Sequence, residues 1–600
     1  MGHLVGDLVR RDAMRRAQPI AARPTWVTSG AIRALGSGLA VLALLALATL
    51  ASGQAPGGLR VATTGIGGAG VGVWLDDRPV GSAEAGRDLV VPGLPAGSYR
   101  LSARVPGRIW ERVVEIAPGA ITTLAVDLNV SRSAARPALA AEVLAHVDSS
   151  YVDPPNLAAL RLGGFRGLEK VVGADTFRVS EESEGAAITH RLPGEPPTRL
   201  VFTGTPGRDA TLGDLGAAYR LAALVAPATE PLKIEQAMLR EAVRTLDPHS
   251  TFLDPEGARE LEAQTSGSFG GVGIEVSQKD GHFVVVAPIE GTPAWRAGIQ
   301  PGDRIVGIEG TLLRGLSLAD AVRRMRGPKG TKVMLTLVRE GASEPIELTL
   351  VREIIRVQSV TTQEIEGDIG YVRIRQFQAR TARDLEAGLA RLEGSGRLGG
   401  IVLDLRNNPG GLLSAAVSVT ERLLPSGKLV VYTEGRIRSH NARFVARARR
   451  ARTDVPVVVL VNQGSASAAE IVAAAIQDHG RGAVLGQRTF GKGSVQTIIA
   501  LSGGAALRLT TARYFTPKGR SINGSGITPD LRIQPPAADP AAAPPRPDAE
   551  RQREDVQLKQ AVAHLRETIA SAPARDPTHG RRGDADRTPD FSTVPQQPSR

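Results

Sequence analysis

Two serines and one lysine carry the first chemical signal in this chain of 600 residues. Ser465 and Ser467 lie in Gly464-Ser465-Ala466-Ser467-Ala468-Ala469-Glu470-Ile471. This turn follows an apolar run, Val455 to Val461, and opens an amphipathic run, Ala468 to Gln477. A small-residue turn between strand and helix can expose a hydroxyl beside free backbone N–H groups. Lys492 sits between glycines in Thr489-Phe490-Gly491-Lys492-Gly493-Ser494-Val495-Gln496, and from Lys332 to Lys518 the only other lysine is Lys428. A serine must lose its proton as it attacks a carbonyl. A lysine amine can take that proton only when neutral, so its pKa must fall from about 10.4 towards 7–8. Burial achieves this by penalising the ammonium. Phe490, Gly491, Gly493 and Val495 suit that role, and no acid lies within seven residues of Lys492. Gln496 can hold the amine by a hydrogen bond without adding charge. The oxyanion needs N–H donors, and Gly410, Gly411 and Ala468 are the candidates. These patterns leave the choice between Ser465 and Ser467 open.

Blander readings compete. A lone GSAS turn is more often a helix cap, and a lone Gly-Lys-Gly is a surface loop. Asp478 and His479 offer a rival Ser–His–Asp set, but they stand a helix length from Ser467. Glu470 and His249, the latter beside Pro248, read as structural. No HExxH motif or histidine cluster points to a metal, no cofactor motif is present, and the absence of cysteine excludes thiolate catalysis and disulfides.

The elements expected to hold these groups form an α/β core over 356–535. Gly370–Ile374 and Gly400–Leu405 read as strands, the second apolar throughout, as in a sheet buried on both faces. Ala379–Leu392 and Leu412–Leu423 read as helices. Residues 266–355 read as strands with two helices, Pro293–Gly298 and Leu318–Met325. There the glycine-rich Phe269–Val276 segment runs into a strand. The N–H groups of Gly271, Val272 and Gly273 could hold a terminal carboxylate while the Ile274 strand pairs with a peptide. Residues 137–265 read as a mostly helical region with an irregular middle, an insertion near 160–215 in which Phe177 to Thr203 reads as strands and turns between helices. Residues 60–130 read as a small β module of hairpins.

Apolar content of 42% and charged content of 22% are ordinary for globular protein. The formal charge of +12 is carried mainly by scattered arginines. Without interleaved aromatics this does not make a nucleic-acid surface. Residues 1–55 combine an Arg-rich start with a charge-free span from Ala34 to Leu59, read as a signal peptide or membrane anchor. The rest is then expected outside the cytoplasm, in the periplasm or cell envelope, secreted or membrane-associated. Residues 536–600 are a Pro/Ala-rich tail, expected to be largely disordered with one helix over 555–570.

The motifs LDPHS (246–250), GGVGIEV (270–276), PGDRI (301–305), DLRNNPGG (404–411), GSASAAEI (464–471), GKGSVQ (491–496) and ARYFTPKGRSINGSGITPD (512–530) occur together. Over residues 137–570 the chain resembles the carboxyl-terminal processing peptidases, or tail-specific proteases. Residues 266–355 resemble a PDZ domain, and 60–130 resemble a PEGA-type β-sandwich. The resemblance implies a multidomain α/β serine protease core with a PDZ domain, a helical N-terminal region and an extra β-sandwich module. It implies Ser467 as nucleophile, Lys492 as base and Gln496 as its partner. It further implies cleavage at or near protein C-termini, with apolar tails bound by the PDZ domain. The β module at 60–130 is a candidate surface for an adaptor or envelope partner. The competing class is a non-catalytic PDZ scaffold that binds the C-termini of envelope proteins; a third is a surface-binding protein dominated by the β module.

Overall fold

The computed structural model describes residues 55–534 and 555–571, with short gaps at 65–69, 85, 106–107, 128–136, 280, 397 and 449–450. The N-terminal basic segment and anchor, and most of the tail, lie outside the described residues. Among the described residues no helix is long and apolar enough to cross a membrane. They fall into two compact units, divided at 148/149, 154/155 and 252/253.

In the first unit, alternation of buried and exposed residues builds a seven-stranded sheet. Its order is Arg78–Ala83, Val71–Leu75, Gly97–Val105, Arg108–Ile116, Thr198–Thr203, Gly185–His190, Phe177–Glu182. The sequence reading set the module at 60–130 apart from the insertion at 160–215. The structure joins them, because Thr198–Thr203 pairs antiparallel with Arg108–Ile116, Leu200 opposite Trp110. Main-chain pairing between strands so far apart in sequence leaves no local pattern to read. A second sheet holds Leu89–Leu94, Gly57–Thr64 and Ile121–Asp127.

The strands expected over 177–203 lie between two helices, Leu157–Val172 and Arg208–Val225, as the sequence predicts. Glycines in the first of these helices serve packing. A Cβ on Gly167 would stand 2.4 Å from the Ala237 carbonyl oxygen of helix Pro231–Arg244, so only glycine lets the two helices approach so closely. Arg161, in the first of these helices, is 2% exposed. It donates to Asp214 (3.0 Å), which also accepts from Arg108 at 2.9 Å.

In the second unit, a mostly parallel sheet runs Val360–Ile365, Ile369–Ile374, Gly400–Asp404, Val457–Val461, Gly482–Gly486, Leu531–Arg532. Only the first pair is antiparallel. Helices Thr381–Ser395, Leu413–Thr420 and Ala468–Asp478 carry one apolar cluster with this sheet. The second face is covered by helix Val556–Ser571. Its Leu558, Ala561, Val562 and Leu565 are buried with Tyr371, Val402, Val458 and Leu460. This corrects its reading as part of a tail: the helix completes the core. Strands Ser494–Ala500, Ala506–Phe515, Leu429–Glu434 and Ala442–Val445 pair in that order. A further sheet runs Ile274–Lys279, His282–Pro288, Arg304–Ile308, Lys332–Val338, Ile346–Val351, with Thr311–Leu312 pairing beside Arg304–Ile308. Its core holds Phe283, Ile305, Val333 and Leu335.

Candidate active site

The two central parallel strands, Gly400–Asp404 and Val457–Val461, end side by side. At the carboxyl ends of parallel strands, open α/β sheets gather their chemistry. The turns that follow are laced together. The Asn407 N–H donates to Asn462 Oδ1 (2.8 Å), the Asn462 amide returns a bond to Asn407 Oδ1 (2.9 Å), and the Ala466 N–H donates to the Asn408 carbonyl (2.9 Å).

The two serines have opposite fates. Ser465 is fully buried; its hydroxyl donates to the Leu405 carbonyl (2.8 Å) and accepts from the Asn462 N–H (2.9 Å). Ser467 is partly exposed and caps helix Ala468–Asp478 with φ 55° and ψ −115°. A non-glycine residue held there costs about 1–3 kcal/mol, and such strain clusters at functional sites. The neighbouring turn supports it: a Cβ on Gly410 would lie 2.7 Å from Ser467 Cβ, so the close approach requires glycine.

Glu470 is what the sequence reading undervalued. It is fully buried, and its carboxylate gathers four donors. The Ser467 N–H (2.7 Å) and Lys492 N–H (2.9 Å) share Oε2, while the Gly491 N–H (2.7 Å) and Thr489 hydroxyl (2.5 Å) share Oε1. Two amides on one oxygen cannot be further apart than those two lengths combined. One side chain thus brings together Ser467 and Lys492, which lie far apart in the sequence. The capping-box spacing Ser467–Glu470 was the available signal. No acid lies within seven residues of Lys492 in the sequence, but the fold brings the Glu470 carboxylate to its backbone N–H, with a full set of donors of its own.

Other expected residues sit as follows. The Gly410 N–H is engaged by Asn408 Oδ1 (2.8 Å), which removes it from the donors open to a ligand. The N–H groups of Gly411 and Ala468 have no acceptor among the described residues. The Gln496 amide donates to Ser494 Oγ (2.8 Å). Phe490, expected to help bury Lys492, is 64% exposed, while its N–H is fixed to the Ser465 carbonyl (3.0 Å). The rival set is dispersed: His479 Nε2 pairs with the Leu429 carbonyl (2.7 Å), and Asp478 accepts from the Lys518 N–H (2.9 Å) and from Arg520.

Beneath the turn, Asp404 accepts the Tyr371 hydroxyl (2.7 Å) and a two-point contact from Arg406. Arg406 also reaches Asp555, just before the last helix. Burial, then the Asp404 charge, pushes the Tyr371 phenol far up. Among the described residues no group of three His, Asp or Glu side chains could hold a metal.

In the sheet of residues 274–351, Ile274–Lys279 is an edge strand. Gly273 precedes it at φ 80°, where a Cβ would stand 2.4 Å from the Thr292 side chain. The Val272 carbonyl accepts from Ala294 and the Gly273 carbonyl from Ile289, both at 2.9 Å. Helix Leu318–Met325 lies near the edge strand.

A strand–turn–helix serine beside a glycine-flanked lysine, with an edge-strand peptide groove, defines a serine peptidase that carries its own peptide-binding module. Residues 368–533 match the model of peptidase family S41, and 284–339 match that of the PDZ domain. A carboxy-terminal-processing protease of Bartonella bacilliformis is 46% identical over 330 residues, covering 54% of this chain and 75% of that protein. A carboxyl-terminal-processing protease of Synechocystis is 41% identical over 305 residues, covering 50% of this chain and 70% of that one. The chain belongs to the carboxy-terminal-processing serine protease family.

Proposed function

We propose that this protein cuts other proteins at or near their C-termini, with Ser467 as nucleophile and Lys492 as its general base. The observation that carries the reading is Ser467 itself: strained, partly exposed, at a helix start, and tied through Glu470 to the Lys492 backbone. In acylation, Ser467 Oγ attacks the scissile carbonyl as its proton passes to the lysine amine. The N–H groups of Ala468 and Gly411 receive the oxyanion. The amine proton then goes to the leaving nitrogen, and water releases the acyl group by the reverse path. Gln496 assists by orienting the lysine. The tail of the substrate adds a strand to Ile274–Lys279, its carboxylate held by N–H groups of the Gly271–Gly273 segment. The charge-free span before residue 60 supports work in the cell envelope, and the sheet containing residues 71–116 is the surface for an adaptor there.

Ser467→Ala should remove hydrolysis of an apolar-tailed substrate by a factor on the order of 10⁴ or more. Lys492→Arg should be nearly as inactive, because guanidinium does not give up its proton. Hydrolysis by Ser467→Ala at the wild-type rate would sink the mechanism and favour a scaffold that only binds tails. Amidating the substrate's C-terminus should weaken cleavage about tenfold through KM, the loss of one charge-assisted contact.

A further inference from the structure

Strand Ala506–Phe515 delivers a phenol to the back of the serine turn. Tyr514 is 1% exposed and packs in the same apolar cluster as Ala468, Ala469 and Val472 of the serine's helix. Its backbone is fixed: the Tyr514 N–H donates to the carbonyl of Gly493 (3.0 Å), the residue after Lys492, and Arg513 pairs with Ser494. Its hydroxyl is buried and makes no well-aligned hydrogen bond among the described residues, although the Ser467 side chain and the Glu470 carboxylate are close enough to act on it. Buried hydroxyls are almost always paired, and an orphan costs about 1–3 kcal/mol. Hydrogen bonds of active sites are often long in the free enzyme and tighten when substrate binds.

We propose that Tyr514 is a positioning residue for Ser467: its hydroxyl donates to a lone pair of Ser467 Oγ as substrate binds. This rests on the reading of Ser467 as nucleophile. The donated bond fixes the oxygen's rotamer and leaves the serine's own proton to face the base. It strengthens as Oγ loses that proton and weakens once Oγ is an ester oxygen, so it favours the attacking state over the acylated one. No bond to Tyr514 forms or breaks, and its proton stays on the phenol. Burial, then the Glu470 charge, raises the phenol well above its ordinary range, with Ser467 opposing, so the group remains a neutral donor across the working pH range.

Tyr514→Phe deletes the hydroxyl and keeps the ring. kcat should fall at least about tenfold with KM unchanged. Covalent labelling of Ser467 by a fluorophosphonate should slow in proportion, and the pH–kcat profile should move to higher pH. The melting temperature should hold or rise, because an unpaired buried polar atom is gone. Full activity with an unmoved profile would overturn the proposal; so would a lowered melting temperature with unchanged kcat, which marks a structural hydroxyl. Placing 3-fluorotyrosine at 514 restores the donor and should return labelling to the wild-type range. If Tyr514→Phe does not fold, this variant carries the test: a more acidic donor moves the profile to lower pH, and an unmoved profile rejects the role. Ser467→Ala is run alongside. If it still hydrolyses substrate, the nucleophile reading itself has failed; if it is inactive while Tyr514→Phe is normal, only the role of Tyr514 falls.

Discussion

Arg161 in the first unit and Glu470 in the second are both buried charged side chains, and they are answered in different ways. Arg161 meets an opposite charge, Asp214, and the carbonyls of Gly204 (3.2 Å) and Phe202. Glu470 meets no cation in any hydrogen bond described; its four donors are three backbone N–H groups and a hydroxyl. An ion pair makes a brace between elements, here two helices, the end of strand Thr198–Thr203 and the Arg108 strand. A carboxylate satisfied by backbone N–H groups fixes the backbone itself. That suits a site whose atoms must be preorganised, since errors of about 1 Å can cost a hundredfold in rate.

Glu470→Gln should break the difference most visibly. The substituted amide brings a donor against N–H donors, so the Ser467 and Lys492 segments lose their common anchor. kcat should drop by about 100-fold or more, measured on a peptide substrate, with stability lower by about 2–4 kcal/mol. A silent substitution would mean the carboxylate only fills space. Arg161→Met should act in the opposite sense. Leaving Asp214 with Arg108 alone should cost about 3–5 kcal/mol in chemical denaturation, while kcat of the folded protein stays within about twofold. The double change Arg161→Met, Asp214→Leu should recover part of that loss. Equal damage to kcat from Arg161→Met would erase the distinction between brace and site.

A third test uses pH. Burial first, and the Arg112 charge second, lower His190 to about 4. The unfolded chain binds that proton near pH 6.5, so the neutral form stabilises the fold above pH 6.5. This contribution is lost as pH falls from 6.5 to 4, by about 2–3 kcal/mol. His190→Gln should flatten that part of the stability profile relative to wild type, without altering the pH dependence of kcat. The smallest effect belongs to Ser465→Ala. Removing its hydroxyl leaves the Asn462 N–H unpaired and should cost about 1–3 kcal/mol, with reduced but measurable hydrolysis.

Much of the second unit was legible because its signals are local. The apolar runs 400–405 and 455–461 are buried strands, and the helices expected at 318–325 and 468–477 occur as Leu318–Met325 and Ala468–Asp478. The first unit was less so. The packing use of Gly163, Gly164 and Gly167 lies against partner helices, beyond any local pattern. The strands at 177–203 were legible as strands, but not their joining to the module at 60–130, because the pairing partner sits at 108–116. The helix at 556–571 read as tail because a Pro/Ala-rich stretch separates it from the sheet it covers.

By itself the sequence determined that this chain builds a small-residue turn between a buried strand and a helix, supplies one glycine-flanked lysine nearby in the chain, and carries a peptide-binding module. Each follows from residue types within a few positions of one another. Only the tertiary structure decided that the Ser465 hydroxyl is turned inward to Leu405, that Gly410 gives its N–H to Asn408, and that Glu470 and Tyr514 converge on the serine turn. The reason is directional. A hydrogen bond needs a donor and an acceptor within about 3 Å and aligned. Between strand ends distant in sequence, that alignment is set by the register of the sheet and not by the residues on either side.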